Sequence, residues 1–552
     1  MKTKQILIVL VTFLVIGNEA MAQIEERIRP AGWENLVQGG RFMDLFLPMK
    51  SVGKLTSDTW GAEGVIPRYI DNGIENRKWS YWGGNIKKCE DGKYHLFVCG
   101  WLESSPRGHA TWPGSTVFNA VSDNPYGPFV VIDTVGKGHN PEVYRLKDGR
   151  YVLYVIDGYY IADGCNGPWT YKKFEFLNRD RHIIEGLSNL TFAQREDGSY
   201  MMVCRGGGVW FSQTGISAYN QISEKRVYPD IRGRFEDPVI WRDNVQYNLI
   251  VNDWLGRAAY YLRSKDGRNW KWESGEAYLP GVSVLEDGKI EEWFKYERIK
   301  IYQDQYGRAI QANFAVIDTL KNEDKANDNH SSKNICIPLT TGRLLTILDK
   351  KPITEKTKTI RVKIASEEGF DPQSDIDINS LRFGEAETVN YGKGCGVLKT
   401  EKSGKDLIVT FNGEGNGIPE DEFSAKMLGK TNKGKLLFGY ARLPYVNFIE
   451  PILSACLPKI TSSDNGFKLS VEVQNFGQVA SKSTKMKIVY TTADKKEVVV
   501  ATGKVKGLKP YEKTNIELTC GNVLVKGAEY NMIVIIHPDD KNPSLLHGKV
   551  KI

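Results

Sequence analysis

The chain has 552 residues, 41% of them apolar and 11% aromatic, with 74 Lys and Arg against 67 Asp and Glu. That length and composition exclude a disordered chain and a single small domain, and predict two to four packed domains. A formal charge of +7 diluted over so many charged groups is a mild bias that permits an anionic ligand without arguing for one, and no nucleic-acid partner is expected.

Lys2 and Lys4 precede an apolar run from Ile6 to Ile16, followed by Ala20-Met21-Ala22 and Gln23. A basic start, a short apolar core and a small-residue cleavage site predict a signal peptide over 1–22. The run is too short to cross a bilayer. No cysteine stands at the cut to carry a lipid, and no later segment reads as a membrane span. The expectation is a periplasmic or secreted protein. Its eight cysteines are scattered, without CxxC or Cys/His metal-ligand spacing, and read as mostly buried thiols with no metal site.

From residue 60 onward the chain repeats itself. Five segments each open on a polar residue, run into a short strand, turn, and run into a second apolar strand: GGNIKKCEDGKYHLFVCGW, GHNPEVYRLKDGRYVLYVIDG, GLSNLTFAQREDGSYMMVCRG, FEDPVIWRDNVQYNLIVNDW and YERIKIYQDQYGRAIQANFAV. The opening residues are Asn85, Asn140, Asn189, Asp237 and Arg298, spaced 55, 49, 48 and 61 apart. Asp91-Gly92, Asp148-Gly149 and Asp197-Gly198 are hairpin turns by composition. A tyrosine follows the turn at Tyr94, Tyr151, Tyr200 and Tyr247. Further along each unit a second turn delivers an aromatic, at Phe129, Trp169 and Trp270. A unit of about fifty residues built from strands and turns, repeated without helical periodicity, fits a β-propeller blade. Five blades then fill a propeller within 23–350, closed by the strand near Asn334 to Leu339 or by the N-terminal segment near Trp33 to Leu47. The opening residues would converge at one mouth of the central channel. On a regular strand neighbouring side chains face opposite ways, so only one of Glu236 and Asp237 should point into the channel unless the strand is bulged.

All 13 tryptophans lie before residue 294. Most are expected to be core, and Trp82, Trp101 and Trp254, near inner-strand ends, are the candidate sugar platforms. Arg107, Arg205 and Arg298 could clamp a carboxylate or sulfate. Carboxylate candidates for catalysis are Glu236, Asp237, Glu185 and Glu297, with Glu103, Asp157 and Asp253 behind them. His139 and His109 are suited to proton transfer near neutral pH.

Glu236-Asp237-Pro238, His139-Asn140-Pro141-Glu142, the Gly-Pro-Trp turn at 167–169 and Tyr296-Glu297-Arg298 resemble the five-bladed propeller glycoside hydrolases. These include the arabinanase and β-xylosidase group and the α-anhydrogalactosidases. The resemblance covers a little over half the chain. It implies Asp237 as the channel carboxylate, acting as base or transition-state stabiliser, and Glu185 as the general acid on the third blade. Glu297 would orient substrate or supply the acid. One departure is clear: where the arabinanase group carries an Asp on the first blade, this chain reads Gly83-Gly84-Asn85, and an amide cannot act as a base. Either the base sits on another blade, or the reaction differs, or the chain binds glycans without cleaving them; His139 and His109 could share the proton transfer, as the anhydrogalactosidase branch implies.

Past Lys350 to Lys358, a charged linker, tryptophan disappears and short alternating strands continue. A β-sandwich accessory domain is expected over 351–450 and an immunoglobulin-like β-sandwich over 451–552. The whole reads as all-β: a five-bladed β-propeller followed by two β-sandwiches. The expected function is an exported, exo-acting glycoside hydrolase on a plant or algal, anionic or sulfated, polysaccharide. The alternatives are a propeller polysaccharide lyase and a non-catalytic glycan-binding protein. No cofactor is expected. A structural calcium ion, the sugar, the linkage, the stereochemistry and the oligomeric state stay open.

Overall fold

The computed structural model describes residues 24–50, 55–56, 64–65, 68–69, 71–463, 466–520 and 523–552. The expected signal peptide, 1–22, lies outside them. Among the described residues no helix is long and apolar enough to cross a membrane. Helix is confined to three 3-10 turns and Ala386–Asn390; the rest of the ordered backbone is strand.

Five antiparallel sheets follow one another along the chain. The first joins Trp79–Lys88, Tyr94–Leu102, Thr116–Ser122 and Val130–Lys137. The second joins Glu142–Arg145, Tyr151–Val155, Gly158–Ala162 and Thr170–Lys173. The third runs from Thr191–Gln194 through Tyr200–Val203 and Val209–Ser212 to Tyr219–Gln221, with Phe176–Leu177 added in parallel. The fourth joins Phe235–Arg242, Tyr247–Asp253, Ala258–Ser264 and Lys271–Tyr278. The fifth joins Lys295–Gln303, Ala309–Ile317 and Ser332–Pro338, and Ile74 and Phe46 bridge to Asn334 and Leu339 at its edge. The N-terminal segment and the strand near Asn334 thus meet in one sheet. The first strands of these sheets pack against one another in succession, and the last returns to the first.

The repeat read from the sequence maps onto this arrangement. The three Asp-Gly turns carry glycines at φ 81°, 93° and 87°, a conformation glycine adopts at no steric cost. Tyr94, Tyr151, Tyr200 and Tyr247 each open a second strand, and Phe129, Trp169 and Trp270 each immediately precede a fourth. Alternate side chains of neighbouring sheets then fill the gaps between them, as where Phe97, Leu153 and Trp82 share one cluster and Tyr154, Phe192 and Trp210 another.

Two further sheet pairs follow. Leu345–Ile347, Ile360–Ile364, Asp406–Phe411 and Val397–Ser403 face Ile376–Gly384, Ser424–Thr431 and Leu436–Arg442 across a core of Val362, Phe383, Val409 and Met427. Leu453–Ala455, Gly466–Asn475, Lys459–Ser463 and Lys513–Cys520 face Glu497–Val505, Thr484–Thr491, Glu529–Ile536 and Ser544–Lys551 across Leu469, Val471, Ile488 and Val534. The first of these units begins at Leu345, ahead of the charged stretch read as a linker, because Leu345–Ile347 pairs with Ile360–Ile364. Cys89 and Cys165 form a disulfide, and of the six free cysteines all but Cys456 are buried, so most are the buried thiols expected.

The two sheet pairs are bound to the five preceding sheets by buried charge. Arg263, fully buried on the fourth sheet, pairs with Glu273 and, at 3.8 Å, with Glu422, and donates to Ser424 Oγ at 2.8 Å. Arg179 and Arg181 donate to the carbonyl oxygens of Ser454 and Ala455, at 3.0 and 3.3 Å. Removing one member of a buried ion network strands the others without a countercharge. Arg263→Ala is expected to cost about 3–5 kcal/mol and to lower the midpoint of the first thermal transition; a melting curve superimposable on wild type would show the network to be inert.

Candidate active site

The five inner strands start in a shared unusual way. Gly83, Asn140, Asn189, Asp237 and Arg298 have φ of 44°, 54°, 50°, 54° and 51°. Left-handed backbone is uncommon outside glycine, with Asn and Asp the usual exceptions. Where the residue lies within a strand the pairing register also shifts, between Trp82 and Gly84, Glu236 and Val239, and Glu297 and Lys300. These bulges break the strict alternation of side chains. Glu236, Asp237 and Glu297 can therefore all turn inward, and one oxygen from each lies within 4.8 Å of the others. The strand is bulged here, so the exception to the rule that only one of Glu236 and Asp237 faces the channel applies. The first-sheet counterpart of the series is Gly83, not Asn85. A side chain at Gly83 would place its Cβ 2.7 Å from Asn140 Oδ1.

The residues converge on a cavity of about 160 Å³ lined by Trp82, His109, Trp112, His139, Asn189, Arg205, Glu236, Glu297, Arg298 and Lys321, among others. On one side stand the carboxylates. Arg298 Nε meets Asp237 Oδ1 at 3.0 Å, and Asn189 Nδ2 donates to the same oxygen at 2.9 Å. Arg298 Nη2 donates to Asn189 Oδ1 at 2.5 Å, closing a three-residue ring. Asp237 Oδ2 is buried without a partner. Glu297 is paired with Lys321 and lies 3.5 Å from Lys295. Arg205 Nε approaches Glu236 at 3.4 Å. Four protein cations thus serve three carboxylates, so this cluster already holds the positive charge a metal ion would bring.

Burial and the neighbouring Asp237 push Glu236 up to about 7. Burial also raises Asp237, against the opposing pull of Arg298. For Glu297 burial raises the pKa but Lys321 and Lys295 outweigh it, and the net shift is downward. One carboxyl of the cluster is therefore suited to carry a proton at neutral pH while Glu297 stays ionised.

Histidines occupy the other side. His139 follows the first sheet and His109 sits in the 3-10 turn Gly108–Gly114. Burial holds both imidazoles well below their ordinary pKa, with Arg298 and Lys321 adding to the effect at His139. The tautomer of His139 is set by its neighbours. Its Nδ1 lies 3.0 Å from Ser115 Oγ and 3.3 Å from Cys99 Sγ. Ser115 Oγ donates its proton to Trp112 O, and Cys99 Sγ donates to Trp82 O at 2.8 Å. Both can only accept, so Nδ1 carries the hydrogen and Nε2 keeps its lone pair for the cavity. The His139 ring lies 4.8 Å from that of Trp112. His109 is wedged edge-on against Trp82 and Trp101, at 4.6 and 5.0 Å.

Of the residues singled out from sequence, Trp82, His109, His139, Asn189, Arg205, Glu236, Glu297 and Arg298 line the cavity, with Asp237 directly behind. Asn140 is buried beside Gly83 with neither side-chain polar atom partnered. Five more do not reach it. Asn85 lies deeper in the channel, its Oδ1 accepting from Val143 N at 3.0 Å. Trp101 is buried behind His109, and Trp254 lies under the Lys295 ammonium, 5.1 Å from its ring. Arg107 is exposed on the loop before the 3-10 turn. Glu185, the expected general acid, is half exposed at the rim and touches the site only through Arg205, at 3.9 Å. Lys321 was missed. It comes from the loop after Ala309–Ile317, where no periodicity marks a site, and its ammonium sits 4.8 Å over Trp82. Glu103, Asp157 and Asp253 are outside the cavity; Asp253 pairs with Arg27.

No protein-family model matches the chain, and no curated protein does. Among solved structures, an α-L-arabinofuranosidase from Lactobacillus brevis aligns over 47% of this chain and 91% of its own, at 10% identity and TM-score 0.33. A GH43 protein from Bacillus licheniformis aligns over 87% and 90%, at 9% identity and TM-score 0.30. A GH32 β-fructofuranosidase from Bombyx mori aligns over 87% and 87%, at 10% identity and TM-score 0.18. These neighbours are glycoside hydrolases, but likeness this low carries no argument about activity, which must come from the cavity.

The tautomer argument is directly testable. Nitrogen-15 shifts of the His139 imidazole are expected to report a neutral ring protonated at Nδ1 throughout pH 6–8 (an order-of-magnitude window around the usual histidine value). A charged ring at pH 7, or the Nε2–H form, would refute it.

Proposed function

We propose that the chain is a glycoside hydrolase whose chemistry sits in this cavity. The carrying observation is the opposition of two unlike walls: a bulge-built carboxylate cluster on the fourth and fifth sheets, and a neutral imidazole with a free lone pair at the start of the second. Glycosidic cleavage needs a proton delivered to the leaving oxygen and a base for water on the other face of the sugar. Glu236, pushed up to about 7, is the proton donor in this reading. His139 Nε2 takes the proton from water, and Asp237, held by Arg298 and Asn189, faces the positive charge that develops on the ring. Trp112, exposed beside the cavity, offers a face for pyranose C–H groups. A base and an acid on opposite walls favour inversion. The excess of cations over carboxylates favours a substrate bearing a carboxylate or sulfate beside the scissile bond. The same reading takes the five sheets as the blades of a catalytic propeller, the two sheet pairs as accessory β-sandwiches, the second of them immunoglobulin-like, and 1–22 as an export signal.

A second reading is favoured by the same imidazole. A neutral His139 base beside Arg298, Arg205 and Lys321 could abstract the proton next to a uronate carboxylate, giving eliminative cleavage. Hydrolysis releases reducing ends without ultraviolet absorbance, whereas elimination leaves an absorbing unsaturated uronate. A panel of neutral, uronic and sulfated oligosaccharides is expected to give the first signal and not the second.

Two outcomes follow for variants. Glu236→Gln is expected to lower kcat by about 10²–10⁴-fold on natural glycans and to be rescued by an activated aryl leaving group. In wild type, activity should fall as pH rises through about 7, because the donor loses its proton there. A rate independent of pH between 6 and 8 would remove Glu236 from this role. Asp237→Asn should abolish turnover with the fold intact; near-normal rates would exclude Asp237.

A further inference from the structure

A second acidic cluster lies outside the cavity and is electrostatically its opposite. Glu103 follows the strand Tyr94–Leu102, and Asp324 and Asp328 lie on the loop between Ala309–Ile317 and Ser332–Pro338. One carboxylate oxygen from each lies within 4.8 Å of the others. Glu103 Oε2 accepts from Ser80 Oγ at 2.6 Å and from Ser331 Oγ at 2.9 Å. Its Oε1 is buried with no partner, and so is Asp324 Oδ2; the two residues are 4% and 1% exposed. Asp328 accepts the backbone N–H groups of Lys325 and His330, both at 2.8 Å. Among the described residues no lysine or arginine forms an ion pair with any of the three. A fourth buried acid, Asp318, stands nearby with His330 Nδ1 at 3.3 Å.

Two unpartnered carboxylate oxygens at these depths are costly unless a countercharge or a proton supplies the missing interaction. Burial and mutual repulsion push Asp324 up to about 8 and raise Glu103. Such crowding is relieved by protons or by a cation.

We propose that Glu103, Asp324 and Asp328 form a binding site for a divalent cation, of which calcium is the best match. The donors are all oxygen, as hard divalent ions require, and the carboxylates come from separate segments, which suits the adaptable coordination of calcium better than the rigid shell of magnesium. The ion would tie together two loops that furnish the cavity. The loop of Asp324 also presents Lys321, and Gly108, next to His109, is packed so tightly on it that a Cβ there would lie 1.9 Å from Asp324 O. Asn327 N–H donates to Glu103 O at 3.1 Å across the same junction. Filling the site would fix the positions of Lys321 and His109 without the ion touching substrate.

The test uses the full chain stripped of metal with a chelator, and reads stability, not turnover. Calcium at millimolar concentration is expected to raise the melting temperature by about 2–4 °C or more. Asp324→Asn and Glu103→Gln should each abolish that response. In chelator they should melt no lower than wild type, because each removes an acid without a countercharge. If either variant fails to fold, terbium luminescence of the wild type, sensitised by tryptophan, gives the second measurement: a one-to-one signal displaced by calcium supports the site, and its absence overturns it. A wild type indifferent to calcium, or a calcium response unchanged in both variants, overturns the proposal, meaning that protons alone relieve the cluster or that the ion binds elsewhere. Either result leaves the glycosidase reading standing, since hydrolysis is not the readout.

Discussion

The site depends on a backbone constraint repeated five times: a residue with left-handed φ at the head of each inner strand. Such residues cost on the order of 1–3 kcal/mol each outside glycine, and Asn189, Asp237 and Arg298 are held by one another's side chains. Gly83 has no side chain because Asn140 occupies the space. Arg298, the bulkiest of the five, is held by two bonds, to Asp237 and Asn189, so the fifth sheet's strain is restrained by side chains of the fourth and third. The carboxylate cluster and the closure of the strand ring are thus one structure. A bulge that merely aimed Asp237 inward would leave Glu236 outward; the left-handed turn brings both in.

The cavity's walls are unequal because their charges are handled differently. On the carboxylate side every acid has an arginine or lysine within ion-pair distance, so Glu297 stays ionised while burial and its neighbour keep a proton near Glu236. On the imidazole side burial keeps His139 neutral, and Arg298 and Lys321, reaching across, add to the effect. The same two cations therefore stabilise a negative wall and suppress charge on the opposite one. Deeper in the channel Glu142 pairs with Lys300 while its Oε1 accepts from Tyr144 and Phe192 N, which neutralises the floor. Charge left over for a ligand is confined to the upper cavity.

Much of this was legible in the sequence. The hairpin glycines, the tyrosines opening second strands and the polar residues at Asn140, Asn189, Asp237 and Arg298 report local backbone geometry, which short motifs encode well. The first unit was misread by two residues because glycine gives no polar signal, so Asn85 stood in for Gly83. Glu185 was chosen by analogy with a third-blade acid, but its left-handed backbone leaves it at the rim, and the neighbouring acid in the Glu236-Asp237 pair takes the buried place. Lys321 and the Cys89–Cys165 disulfide depend on loops meeting across sheets, and no periodicity announces such meetings. The tautomer of His139 is further still from sequence, since it rests on where Ser115 and Cys99 send their own protons.

The two C-terminal sheet pairs sit away from the cavity. The fourth inner strand opens at Glu236 in the cavity and ends at Arg242, roughly 20 Å away at strand spacing. The first sandwich attaches beyond that far end: Arg442 donates to Val245 O at 2.8 Å and Ser424 Oγ to Gln246 Oε1 at 2.8 Å. No side chain after residue 344 lines the cavity. Yet Arg263 and Glu273, deep in the fourth sheet, find part of their countercharge and hydrogen bonding on Glu422, Lys426, Asn390 and Tyr440. The sheet that carries Glu236 and Asp237 is therefore completed from outside, at the end away from the cavity. The left-handed residue at its cavity end is borne by a sheet whose other end is anchored by buried charge.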